Sequence, residues 1–194
     1  MNQAMTLEQR NSALCRAVRR GYLKRVKQLL RDGGDPNSCM WVRFDRERED
    51  LEAYLVIVAM YFEHDDVVEA LIDAGADVSV QFPSTCDPLI HEAAWRRGTK
   101  HLTQIIARGG DVNTRGRHGR TALMGCALDA VPVLVAAGAD LEARDDMGNT
   151  ALMHAVRWPR TDVVRALIEA GADLGRGMRT GTPLVRLPGW RATR

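Results

Sequence analysis

Five histidines, four cysteines and one adjacent pair of acids are the residues of this 194-residue sequence whose types could carry chemistry, and their spacing decides what kind. Cys15, Cys39, Cys86 and Cys126 stand far apart, with no Cys-x-x-Cys pair and no histidine at finger spacing, so they do not spell a zinc site. Thiols scattered in this way fit a reducing, cytoplasmic setting. His118 falls in a loop and His154 on a helix face open to a partner, and neither has a Cys or Asp at ligand spacing; His64 and His101 stand at helix starts, where solvent is their expected neighbour. Asp145 and Asp146 are adjacent in a loop, which points their carboxylates apart into water rather than toward a shared proton. Gly175 to Gly181 is glycine-rich but lacks the Lys-Ser/Thr ending of a phosphate-cradling loop. No nucleophile stands beside a base, so no enzymatic activity, catalytic residue, metal or cofactor is expected.

Composition narrows the class further. At 45% apolar and 27% charged residues the chain can bury a core, and 27 basic against 25 acidic residues leave a net charge of +2, which makes nucleic acid an unlikely partner. The N-terminus has no basic start followed by an apolar stretch, and the longest apolar run, Leu55 to Phe62, is too short to cross a bilayer, so neither export nor membrane association is expected.

The elements that must position any functional residue announce themselves as a repeat. One phrase recurs as Gly33-Gly34-Asp35, Gly75-Ala76-Asp77, Gly109-Gly110-Asp111, Gly138-Ala139-Asp140 and Gly171-Ala172-Asp173, at spacings of 42, 34, 29 and 33. Each copy follows apolar residues at helical period, such as Val67, Val68, Leu71 and Ile72, so its leading glycine sits where a helix stops and a left-handed residue is wanted. A second phrase opens each unit: Thr121-Ala122-Leu123, Thr150-Ala151-Leu152 and Thr182-Pro183-Leu184, with weaker copies at Ser12, Tyr54 and Pro88. Between opening and closing there is room for two short antiparallel helices, the first carrying small residues such as Ala59, Ala93 and Ala155 that permit close stacking.

These phrases resemble the ankyrin repeat over residues 12–187. The resemblance implies an all-α helix-turn-helix solenoid in a single domain, 1–194, with about five full units near 12–37, 54–79, 88–113, 121–142 and 150–175, a truncated C-terminal unit near 182–190, and an enlarged inter-repeat finger at 38–53. His91 falls on the hallmark histidine, whose role in this family is to stabilise a turn by hydrogen bonding. Unit four is about four residues short around 128–133, and Pro132 and Pro188 fall where regular helix would be strained.

The same resemblance implies a concave face lined by first helices and fingers. The positions five and six after each opening apolar residue are Arg19 and Arg20, Tyr61 and Phe62, Trp95 and Arg96, Leu128 and Asp129, and Arg157 and Trp158. Four of the ten aromatic residues of the chain fall in this stripe beside four arginines, the mixture that dominates protein-binding hot spots. Tyr61 and Phe62 have packing between units as the competing fate. The fingers add Arg115, Arg117, His118 and Arg120, then Arg144, then Arg176 and Arg179, a basic half that favours an acidic protein surface. In the enlarged finger, Trp41 and Phe44 either fold back onto unit two or stand out as anchors. The expectation is a monomeric, non-catalytic protein-binding module acting as a stand-alone adaptor or an occluding inhibitor, with nucleic-acid-associated binding through the Arg-rich fingers and C-terminus as the alternative.

Overall fold

The computed structural model describes residues 5–44, 47, 49–96, 98–158 and 160–174. Helices come in pairs: α1 (Leu7–Arg19) with α2 (Leu23–Arg31), α3 (Leu55–Tyr61) with α4 (Asp65–Asp73), α5 (Leu89–Trp95) with α6 (Lys100–Ala107), and α8 (Ala151–Arg157) with α9 (Thr161–Glu169). The fourth pair is uneven, a single 3-10 turn at Ala122–Met124 followed by α7 (Ala130–Ala136). First members stack in one row, α1 on α3, then α5 on the 3-10 turn and the turn on α8; second members stack in another, α2, α4, α6, α7 and α9. This is the helical repeat solenoid that the recurring phrases require.

The closing glycines do what their spacing implies. Gly33, Gly75, Gly109, Gly138 and Gly171 all have φ between +87° and +99°, conformations that a residue with a Cβ adopts at a cost. In each case the next amide reaches back to the last full turn, as Ala76 N–H does to Leu71 O at 2.9 Å and Ala172 N–H to Leu167 O at 2.9 Å. The Asp that completes the phrase turns the chain out of the helix, its carboxylate accepting the amide two residues on: Asp77 from Ser79 at 2.8 Å, Asp111 from Asn113 at 2.8 Å. Asn37 and Asn113 then accept the amides of Asp77 and Asp140 in the following unit at 2.7 and 2.8 Å, a side-chain ladder joining consecutive loops.

Three details differ from the sequence-based expectation. Helix α1 opens at Leu7 rather than near Ser12, because Thr6 and Gln9 form a reciprocal capping box and Ser12 instead accepts from Arg16 at 2.8 Å inside the helix. Pro132 strains nothing: it sits at the third position of α7, where a helix has no use for its N–H. The enlarged finger carries the strand structure of the described residues, an antiparallel hairpin of β1 (Cys39–Val42) and β2 (Leu51–Tyr54) with Trp41 opposite Glu52. The proposed sixth unit, 182–190, lies outside the described residues.

The core runs through the whole stack without a break. Leu14, Leu29, Leu55, Leu71, Leu89, Leu102, Leu123 and Leu134 are all buried to 2% exposure or less. Each contributes roughly 1.5–3 kcal/mol of burial, which no single short helical pair could accumulate alone.

Candidate partner-binding face

Helical period places the residues of the stripe at the ends of first helices, and the structure sorts them into three groups. Trp95 and Trp158 stand out from the ends of α5 and α8 with 67% of their surface exposed, and Leu128, at the matching position of the uneven unit between them, is 46% exposed. Arg157 is exposed beside Trp158, and Arg19 and Arg20 are exposed at the end of α1. These side chains form the open part of the row.

Tyr61 and Phe62 belong to the second group, half-buried and packed into an aromatic cluster. Phe44 from the enlarged finger lies edge-on to Tyr61 at 4.7 Å, Tyr61 meets Phe62 at 5.2 Å, and Phe62 stacks on His64 at 6.2 Å. The two alternatives for the finger are therefore divided between its aromatic residues: Phe44 is buried against unit two, whereas Trp41, on β1, is 65% exposed. Sequence alone gave no way to tell them apart, because both lie in one short run and the strand alternation that separates them is too brief to recognise.

Arginines used internally make up the third group. Arg96 is half-buried, with Nε on Glu92 at 3.1 Å and Nη2 on the carbonyl of Met60 at 2.5 Å, so it fastens α5 to the end of α3 instead of facing outward. Arg160, which the stripe omitted, does the same for the uneven unit, donating to the carbonyls of Gly125 and Cys126. In the fingers Arg115 donates through one nitrogen to Gly119 O at 2.9 Å and Arg144 O at 2.6 Å, and Arg144 donates to Gly148 O at 2.7 Å. Arg117 stays exposed while its amide bonds Asp87 at 2.8 Å, and exposed His118 adopts φ +59° with its carbonyl accepting from Asp146 at 3.0 Å. Arg176 and Arg179 lie outside the described residues.

The titratable residues take structural posts. His91 bonds the carbonyl of Thr114 at 2.9 Å, as the resemblance implies, and burial lowers its pKa although Thr114 and Asp87 act in the opposite direction. His154 does not face a partner, nor does Asp145 face water. Both are buried, and His154 Nε2 meets Asp145 Oδ2 at 2.8 Å, because the loop curls back over the first turn of α8. Burial alone would raise the Asp145 carboxyl, but the Asn149 amide N–H, His154 and the Asn149 side chain outweigh it and hold the pKa down at about 2. His64 and His101 are likewise drawn in from solvent, His64 to the carbonyl of Arg19 at 3.3 Å and His101 to Asp65 at 3.1 Å, since the start of each second helix abuts the preceding unit.

Among the described residues no three His, Cys, Asp or Glu side chains converge as a metal site. No helix among them is long and apolar enough to cross a membrane. A shallow apolar groove of about 530 Å³ lies on the other row, between Ile106 of α6 and Pro132 and Val133 of α7, where the uneven unit leaves space. Family models match the stretch that carries the repeat phrases. One described as an ankyrin repeat matches residues 9–41, one of many ankyrin repeats matches 56–105, and one of three ankyrin repeats matches 90–177.

Proposed function

Since the chain belongs to the ankyrin-repeat family, whose repeats are protein-protein interaction modules, we propose that it is a monomeric, non-catalytic binding protein, an adaptor or occluding inhibitor, with the Trp95–Leu128–Trp158 row and its flanking arginines as the docking groove. One observation carries this reading: two tryptophans on alternate units of one row, each two-thirds exposed with an exposed leucine between them. A folded chain gains by burying such rings, and indole is the side chain most enriched at binding hot spots. Arg157, Arg19 and Arg20 supply charge at the two ends, and Trp41 stands on the finger as a further anchor.

Nucleic-acid binding through the fingers receives no support from Arg115 and Arg144, which direct donors at backbone carbonyls of their own and the neighbouring loop. A rigid stack whose anchors are already ordered loses little entropy on docking, so a few side chains decide the affinity. The test compares the intact protein with a Trp95→Ala, Trp158→Ala variant of equal helical signal as baits for nuclease-treated native extract. A protein retained by the first and lost by the second, followed by titration showing a loss of about 2 kcal/mol or more per tryptophan, is the expected result. Equal retention by both baits would remove the stripe from consideration and move attention to Trp41.

A further inference from the structure

Charge is distributed along this chain far more unevenly than its near-neutral total suggests. Residues 7–32 contain eight lysines and arginines against two acids, whereas residues 33–174 contain fourteen against twenty-three. The first helical pair is a basic cap on an acidic stack.

Arg19 and Arg20 end α1, and Lys24, Arg25, Lys27 and Arg31 follow along α2, all six exposed. Among the described residues none of the six forms an ion pair. On and beside α6 the cations are matched: Lys100 pairs with Glu69, Arg108 with Asp73 and His101 with Asp65. Lys24, Lys27 and Arg31 recur at helical spacing and so share one face, a row about 10 Å long.

Lys24 and Arg25 also occupy the first turn of α2, where the helix dipole disfavours cations and no acid offsets them. The matching turn of α4 holds Asp65 and Asp66, and that of α9 holds Asp162, the choice that stabilises a helix start. A local rule broken without compensation inside the molecule points outside it.

The frame beneath these charges is fixed. Gly21 takes φ +68° in the turn between α1 and α2, and a Cβ there would lie 2.7 Å from the His64 ring. That ring bonds the Arg19 carbonyl, while the amide of Tyr22 bonds Ala17 O at 2.9 Å. Tyr22, between Arg20 and Lys24 in sequence, is 56% exposed and so adds an aromatic ring to the surface of this turn.

We propose that this face, from Arg19 and Arg20 across Tyr22 and along α2, is a second docking surface and that its occupant is an acidic polypeptide segment. A long polyanion such as duplex nucleic acid would run on from the cap over a stack with a large excess of acids, whereas a short acidic segment ends within the cap. The surface meets the tryptophan row only at Arg19 and Arg20, so it stands without that row.

The test uses the full chain and a short fluorescein-labelled oligoglutamate peptide, with binding followed by anisotropy across a salt series. Saturable binding that weakens with salt is expected, and Lys24→Glu with Arg25→Glu should weaken it at least about tenfold. That variant should melt no lower than the parent, because carboxylates suit the first turn of a helix. Lys27→Ala with Arg31→Ala should weaken binding as well, and Trp95→Ala with Trp158→Ala should leave it unchanged. Three results would overturn the proposal: no saturable binding at low salt, affinity in both cap variants equal to the parent's, or tighter binding of duplex DNA or anionic lipid vesicles through the same residues.

Discussion

Asp145 shows how much one side chain can do in a loop that reads as solvated. Its carboxylate accepts from the amides of Met147 and Asn149 at 3.0 and 2.8 Å, from the Asn149 side chain at 3.3 Å and from His154 at 2.8 Å, all within a nearly closed environment. Because its folded pKa, about 2, lies below the ordinary carboxylate value, the charged form is what the fold stabilises. The contribution is fully present above about pH 4 and is lost as the pH falls toward 2. Asp145→Ala should therefore cost about 2 kcal/mol at neutral pH in denaturant titrations, with the gap from the parent narrowing in strong acid. A pH-independent gap would show that packing, not charge, is what the substitution removes. The sequence displayed Asp145 and His154 plainly yet did not reveal their meeting, because the eight residues between them had to curl into a tight loop first. His91 was legible for the opposite reason, since the repeat fixes its turn.

Short helices here are held by connections that sequence periodicity does not encode. Gly-Ala-Asp phrases located the ends of five second helices, because a left-handed glycine and an Asp that caps the following turn are local requirements written in consecutive residues. Arginine destinations are not local. Arg96 and Arg160 each reach the exposed carbonyl end of the preceding first element, and a side chain with that reach selects its acceptor only after the units have stacked. In the uneven unit the 3-10 turn Ala122–Met124 leaves the carbonyls of Gly125 and Cys126 outside any helix, so Arg160 supplies donors that the chain lacks there. Arg160→Met, which keeps the length of the stem and removes the donors, should destabilise the protein by roughly 1–3 kcal/mol, measured by equilibrium unfolding. A neutral substitution would mean that solvent replaces the guanidinium at no cost.

A stack whose units touch only their neighbours is as cooperative as its weakest interface. Both sides of the uneven unit are candidates for that interface. Every residue of α3 from Leu55 to Met60 is buried, whereas the corresponding element of unit four is one 3-10 turn closed by Gly125 N–H to Ala122 O at 3.3 Å, and α7 after it starts with Val131 N–H to Leu128 O at 3.3 Å. The groove left between α6 and α7 removes further packing from the same junction. The shortened repeat was visible in the spacing of 29 between glycine phrases, but that number did not say whether loop or helix had been lost. The structure puts the loss in the first helix, which is the element that should bridge α5 and α8. Unfolding should consequently proceed in two steps, residues 121–174 opening before the units ahead of them. Hydrogen exchange followed by mass spectrometry should find the amides of 122–137 exchanging faster than those of α3 to α6, and Arg160→Met should widen the separation between the two steps. One concerted transition with uniform protection would show that the interfaces around unit four couple as strongly as the rest, and that the core running through Leu123 and Leu134 suffices without a regular first helix.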